Sequence, residues 1–272
     1  IENDDEVMIF PGSPSYPPCE TEAPQLPDAA DMKRWAMDLQ EAAYANHPSV
    51  SDGTQSAVMA YECEIMLCNS HGLDLSNHVG ITGAYSDVIV KEGEDAESEV
   101  AVRKGRCYED FADLPAKAVE KARAHLGAGT LASGKMDCVI SGDQMRALLA
   151  TFSSVFSAKQ VQMGMSLLRG KVGESIASPL VTITDDPRRP ECPIQTSFDG
   201  EGVATYRKPV IENGVLKTFL YDLTTAKKDG VASTGNGRRS SYASSVGIAP
   251  YCFCLEAGDK TQEELFASVG NG

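Results

Sequence analysis

"FDGEGVATYRKPVIENGVLKTFLYD", residues 198–222, is the stretch on which the fold turns. It reads as strand, tight turn, strand. Asn213-Gly214 sits between the two apolar runs and predicts a turn of the primed type, which needs positive φ at both central positions. A hairpin of that kind commits this half of the chain to antiparallel sheet. Beside it lies the polar run "STGNGRR", residues 233–239, inside the long Gly/Ser/Asn loop "VASTGNGRRSSYASSVG".

Working outward, "LYDLTTAKKDG" predicts a helix, "SPLVTITDDP" a strand ending in a turn, and "PYCFCLEAG" a further strand. "DKTQEELFASVGNG" predicts a capped helix at the end of the sequence. Upstream, "KMDCVI" is expected as a short strand and "SGDQMRALLATFSSVFS" as a helix. "KQVQMGMSLLRG" is expected as a second helical piece whose spaced methionines and leucines form core. In the first half, "DAADMKRWAMDLQEAAYAN" carries Met32, Trp35, Leu39 and Ala42 or Ala43 at helical spacing, with Asp28 or Asp31 as cap. From Ser56 the period becomes two, and three runs to Asp110 predict an antiparallel meander, with His71 and His78 in or beside its first turn. "DLPAKAVEKARAHLGAG" then predicts a helix capped by Asp113, with Pro115 in its first turn and Gly127 closing it. His125 in its last turn suits the negative end of the helix dipole. Residues 11–27, rich in proline, are expected as an extended linker.

Composition narrows the function. The 272 residues carry a net charge of −15, which repels a phosphate backbone, and "RKGR" and "GRR" are too short to offset it. Nucleic acid is therefore not an expected partner. Apolar runs fall short of the roughly 20 residues a membrane span requires, so no membrane partner is expected. "IENDDEVMIF" has no secretory-signal pattern and no initiating Met, and reads as a truncated start. The eight cysteines are expected as buried thiols of a reducing cytoplasm. Cys63, Cys68 and His71 in "CEIMLCNSHG" are the only Cys/His grouping. A second ligand pair is missing downstream, and strand alternation turns Cys63 and Cys68 to opposite faces, so no metal site is expected there.

Common catalytic motifs are absent, among them Gly-x-Ser-x-Gly, the phosphate-binding loop, the dinucleotide fingerprint and His-Glu-x-x-His. None of the four histidines (His47, His71, His78, His125) lies in the C-terminal half. Asp185-Asp186 before a proline read as turn and cap residues. Asp199 and Glu201 flank Gly200 and form the other carboxylate pair. In "STGNGRR", backbone amides and two guanidiniums suit a carboxylate, a phosphate or a peptide main chain, while the same composition also describes a surface loop.

"SAKQVQMGMSLLRGKVGESIASPLVTITDDP", "FDGEGVATYRKPVIENGVLKTFLYDLTTAKKDG" and "STGNGRR", in this order, resemble the TldD/PmbA (TldD/TldE) family, metalloprotease-related proteins first named modulators of DNA gyrase. "NSHG" and "DLPAKAVEKARAHLGA" look like the family's middle domain. The match runs from about Pro24 to the end and is most specific between Gly134 and Arg239. The resemblance implies an α+β protein: a mixed N-terminal and middle domain with antiparallel strands over residues 1–133, then a β-rich C-terminal domain over 134–272, truncated at the start and end respectively. It implies a dimer of related subunits acting on unfolded or linear peptides.

In the TldD-like branch, a helix just before the "GKVGESIASPL" region carries His-Glu-x-x-x-His: two zinc ligands and the glutamate that activates water. Zinc hydrolysis needs those groups to hold the metal with an open position and to supply a base. Here the matching helix reads "MRALLATFSSVFSAKQV" and contains no histidine, cysteine, aspartate or glutamate between Met145 and Val161. Ala150, Thr151 and Val155 stand roughly where the motif would fall. By this resemblance the chain is a non-catalytic TldE/PmbA-like subunit without catalytic or metal-binding residues, and zinc belongs only to a TldD-like protease partner. Thr234, Gly235, Asn236, Gly237 and Arg238 are then candidates for the peptide cleft or the subunit interface. Two alternatives stay open: a homodimeric peptide-binding protein, or a hydrolase using Asp199 and Glu201 or a thiol such as Cys192.

Overall fold

The computed structural model describes residues 8–19, 26–190, 192 and 194–269. It divides into two compact units: residues 1–21, 65–77 and 134–272 form one, and residues 22–64 and 78–133 the other.

The second unit is a three-stranded antiparallel sheet with two helices. Helix α1 (Ala29–Asn46) starts where Asp28 accepts the Asp31 amide at 2.8 Å. Strands β1 (Gln55–Cys68), β2 (Asp74–Glu92) and β3 (Asp95–Gly105) lie in the order β1-β2-β3, the expected meander, although residues 65–77 at the far end of the first hairpin group with the other unit. Ala84, Ser86, Val88 and Val90 are buried at alternate positions of β2, which is the period-two pattern carried to one face. Helix α2 (Leu114–His125) packs along β3 and against α1. Trp35, Leu39, Val88, Phe111, Leu114 and Ala118 belong to the resulting core, with the Trp35 and Phe111 rings tilted 6.3 Å apart.

Two local expectations change here. Asp113 precedes α2 but makes no capping bond; its carboxylate takes Arg103 at 2.6 Å and Lys117 at 2.7 Å instead. These two cations hold the Asp113 carboxyl well below the usual carboxylate range. His78 lies within β2, with Nε2 2.5 Å from Glu62, and His71 is exposed in the turn.

The first unit holds the opening hairpin. Strands β4 (Ile183–Asp185), β5 (Lys208–Glu212), β6 (Val215–Leu216) and β9 (Phe253–Leu255) form an antiparallel sheet in the order β6-β5-β4-β9. A two-stranded ribbon, β7 (Gly237–Arg238) with β8 (Gly247–Ile248), lies within the long polar loop. Asn213 and Gly214 take φ of 49° and 81°, the primed turn the sequence calls for. Residues 198–204 are an irregular turn closed by a bridge between Phe198 and Ala204, so the first expected strand begins only at Lys208.

Helices α3 (Gly142–Phe152), α4 (Ala158–Gln162), α5 (Leu223–Asp229) and α6 (Gln262–Val269) complete the unit. Helix α5 is capped by Asp222 and closed by Gly230 at φ 66°. Helix α6 opens with a reciprocal capping box between Thr261 and Glu264. The core gathers Phe156, Val161, Ile183, Val210, Leu216 and Leu220.

Residues 135–140 form no strand. Of the methionine and leucine run, Leu168 alone packs against the core. Helix α4 stops at Gln162, Gly164 turns the backbone at φ 74°, and Met163, Met165 and Leu167 are exposed. The proline-rich segment is no free linker over residues 11–19, since Tyr16 donates to the Gly202 carbonyl at 2.7 Å and Ser13 accepts the Ala204 amide at 2.9 Å. Its remainder over residues 20–25 lies outside the described residues. Among the described residues no helix is long and apolar enough to cross a membrane. Of the cysteines, Cys63, Cys68, Cys107 and Cys138 are exposed and Cys192 alone is buried, against the expectation of buried thiols.

Candidate functional site

The "STGNGRR" loop is a built structure. Asp185, the last residue of β4, is 0% exposed, and its carboxylate is saturated. Oδ1 accepts the amides of Tyr251 at 2.8 Å and Cys252 at 2.9 Å; Oδ2 accepts Asn236 Nδ2 at 2.8 Å and Lys208 Nζ at 3.3 Å. Lys208 stands opposite Asp185 in the register and is 3% exposed. Burial pushes its pKa down while Asp185 pulls it back up.

Asn236 is fully buried and reads three neighbours with one amide group. Its Nδ2 donates to Asp185 and to the Ala249 carbonyl at 3.1 Å, and its Oδ1 accepts the Thr234 hydroxyl at 2.8 Å. Thr234 in turn accepts the Tyr221 amide at 2.7 Å, which ties the loop to the strand-to-helix connection before α5. Gly235 takes φ 67° and passes so near the 198–204 turn that a Cβ there would lie 2.7 Å from the Ala204 carbonyl oxygen. Gly237 donates its amide to Asp199 Oδ2 at 2.8 Å and accepts the Gly200 amide at 2.7 Å.

Thus Thr234, Gly235, Asn236 and Gly237 are brought together in the interior, where they fix the backbone. Arg238 is half-buried, its guanidinium 4.1 Å over the Tyr251 ring and bonded to the Pro250 carbonyl at 3.2 Å. Arg239 is exposed and bonds the carbonyls of Gly200 and Ser244 at 3.2 and 2.6 Å.

The second carboxylate pair does internal work as well. Asp199 accepts three amides, from Glu201 at 2.9 Å, Val203 at 3.0 Å and Gly237 at 2.8 Å; burial nonetheless raises its pKa on balance. Glu201 accepts the Leu223 amide at 2.7 Å, at the first position of α5. Burial first, then the nearby Asp199 and Asp222, push Glu201 up to about 7 against the pull of Arg239. Among the described residues the hydrogen bonds shown for both carboxyls come from backbone amides, so the pair positions backbone.

This raised value makes a test. Between about pH 4.5, the ordinary glutamate value, and about 7, folded Glu201 holds a proton that the unfolded chain has released. Stability therefore falls as pH rises through that window, and the deficit persists above it. Glu201→Gln is expected to raise the urea midpoint at pH 8 and leave it nearly unchanged at pH 4. Parallel pH profiles for the two proteins would remove Glu201 as the cause.

The segment that the resemblance sets against a zinc-ligand helix folds as α3, the short turn after it, and α4. Thr151 donates its hydroxyl to the Ala147 carbonyl at 2.9 Å, Val155 packs on the core, and Ala150 is an exposed methyl. These side chains do not fit a zinc ion. Leu148 is 41% and Phe152 58% exposed on α3, which buries no residue of its own. Sequence reading missed the Asp185–Lys208 pair. The signal was present: Lys208 and Val210 share a face of β5, and Val210 is apolar.

The PmbA/TldA metallopeptidase C-terminal domain profile matches residues 133–272, and the central-domain profile matches residues 22–126. An uncharacterised protein of Methanocaldococcus jannaschii is 31% identical over 85% of this chain and 52% of its own length. A crystal structure of a candidate modulator of a DNA gyrase from Thermotoga maritima superposes with a TM-score of 0.85 at 31% identity, covering 97% of this chain and 60% of that one. TldE from Thermococcus kodakarensis shares the fold, with a TM-score of 0.81 at 23% identity over 98% of this chain and 61% of that one. The chain therefore spans 52% to 61% of the length of these relatives. With both the central and the C-terminal domain profiles matched, the chain belongs to the PmbA/TldD family of metallopeptidase-related proteins.

Proposed function

We propose that this chain is part of a non-catalytic, TldE/PmbA-like subunit that pairs with a zinc-bearing TldD-like protease and helps form the channel for unfolded or linear peptides. The observation that carries this reading is the α3–α4 segment. It has no metal-ligating side chain between Met145 and Val161, yet α3 leaves Leu148 and Phe152 exposed, as a surface that meets another protein does. The rigid "STGNGRR" loop, with Arg239 at its surface, supports a role in holding a peptide main chain or the partner. Eight cysteines outside disulfides fit a reducing compartment, the cytoplasm.

The test mixes the purified protein with a TldD-like chain and follows cleavage of an unstructured peptide. The protein alone is expected to be inactive and the mixture active, with a chelator abolishing cleavage. Chelator-resistant cleavage by this chain alone would overturn the non-catalytic assignment. Because Leu148 and Phe152 are exposed in the isolated chain, Phe152→Glu is expected to leave its circular dichroism unchanged and to weaken pairing by roughly 10-fold or more, by burying a charge at the interface. Unchanged pairing would move the interface away from α3.

A further inference from the structure

Cys252 and Cys254 flank Phe253, the first residue of β9, and their sulfurs stand 3.6 Å apart. Extended chain turns residues i and i+2 to one side of a sheet, so the two thiols share a face. Phe253 between them turns the other way, onto the Phe156 ring at 5.4 Å. Both thiols are half-buried, within reach of a small solute.

The backbone beneath them is fixed. The Cys252 amide donates to Asp185 at 2.9 Å, and its carbonyl accepts the Asp186 amide at 3.1 Å. Cys254 stands opposite Thr184 in the β4–β9 register, and beyond it the Glu256 amide donates to the Thr182 carbonyl at 2.9 Å. This rigidity bears on what the sulfurs can do. A disulfide needs them about 2.05 Å apart, with Cα atoms usually within about 6.8 Å. Extended chain sets the Cα atoms of this pair roughly 6.6 Å apart, at the long end of that span, and the ladder resists the bend that would shorten it. An ion between the sulfurs asks for no bend. Thiolates around a three-coordinate ion, with bonds of about 2.3 Å, lie roughly 4.0 Å from one another. A small turn of either side chain covers the difference from 3.6 Å.

The number of sulfurs also selects the ion. Among the described residues no group of three or more His, Cys, Asp or Glu side chains is placed to hold a metal. Zinc in a closed protein site takes four ligands and hard cations take oxygens, whereas the soft Cu(I) ion is satisfied by two or three sulfurs. We propose that Cys252 and Cys254 form a two-thiolate chelate for Cu(I), the third position of the ion being left to a small thiol from solution. Two S–H bonds break and two S–Cu bonds form. Both protons pass to solvent and copper stays Cu(I), so no oxidant or reductant is consumed. Burial, then the adjacent Cys252, pushes Cys254 up to about 11, so its proton is still in place at neutral pH and is released when the ion binds. The Thr184 hydroxyl, across the ladder from Cys254, is buried with no hydrogen-bond partner among the described residues, and it supplies a donor for the thiolate.

The experiment supplies Cu(I), from its bicinchoninate complex and without oxygen, to the fully reduced chain. Loaded and unloaded protein are then treated with an alkylating agent, and the tryptic peptide 240–260, which carries these two cysteines and no other, is followed by mass spectrometry. Loading is expected to slow alkylation of both sulfurs by roughly 10-fold or more, because a ligated thiolate is no longer a free nucleophile. In Cys252→Ser and in Cys254→Ser the remaining sulfur loses that protection, and zinc in place of Cu(I) gives little of it. The proposal is overturned if alkylation of 240–260 is indifferent to copper, if a single cysteine stays protected in either variant, or if zinc protects as well as copper. It is equally overturned if the two sulfurs are recovered joined as a disulfide, or if loading joins two chains. The wild-type peptide map decides even where a variant fails to fold.

Discussion

Asp185→Ala is expected to lower the free energy of unfolding by about 3–5 kcal/mol, the range for breaking a buried ion pair by removing one partner. The reason lies in what the carboxylate leaves behind. Lys208 is 3% exposed, and its ammonium would keep only the more distant Asp199 and Asp186 as counter-charges. The amides of Tyr251 and Cys252 would lose their acceptor, at roughly 1–3 kcal/mol for each that stays dry. Asn236 would keep the Ala249 carbonyl alone for its Nδ2.

The loss should also depend on pH. Burial already lowers the pKa of Lys208, and without Asp185 the lowering grows, so the folded variant binds fewer protons than its unfolded chain. Stability of the variant then rises with pH as Lys208 becomes neutral, and the gap to wild type narrows. Adding Lys208→Met should recover part of the loss, because the unpaired charge goes with it. Urea titrations followed by circular dichroism measure all three proteins. A loss below about 1 kcal/mol for Asp185→Ala, the scale of a surface pair, would show that water reaches the network.

What the sequence made legible here is what is decided locally. The Asn213-Gly214 turn depends on two residues and their allowed φ, and it forms as expected. The caps at Asp28 and Thr261 lie within one helical turn of the amides they serve. The polar loop is different. Its burial is decided by Asp185, 51 residues before Asn236, and by Asp199, 38 residues before Gly237, and no spacing rule reaches that far. The methionine run failed for a related reason. Apolar spacing tells which residues share a helical face, but not whether the helix continues, and Gly164 ends it. Strand alternation on β5 did carry the inward direction of Lys208, yet a lysine in an apolar pattern is more readily read as an edge than as half of a buried pair.

The other large effect is expected from Gly235→Ala, and a second glycine serves as its control. Gly235 and Gly230 have almost the same backbone, at φ 67° and 66°. An alanine at either pays the left-handed cost of roughly 1–2 kcal/mol. At Gly230 nothing lies within 4 Å of the new methyl, so that cost is the whole effect. At Gly235 the methyl would sit 2.7 Å from the Ala204 carbonyl oxygen and 3.3 Å from the Thr205 Cα, both backbone atoms that cannot rotate away. Either the backbone at Ala204–Thr205 or the loop has to shift, and overpacking of this kind adds roughly 1–3 kcal/mol. The shift is transmitted directly, because the neighbours Thr234 and Asn236 hold Tyr221, Asp185 and Ala249 at 2.7 to 3.1 Å. Gly235→Ala should therefore cost about 2–5 kcal/mol in all and exceed Gly230→Ala by the clash term. In hydrogen-exchange mass spectrometry it should also loosen the amides of Tyr221, Tyr251 and Cys252, which Gly230→Ala leaves protected. Equal losses in the two variants would mean that the loop rests on the Ala204–Thr205 backbone loosely, and the close-packed reading of "STGNGRR" would fail with it.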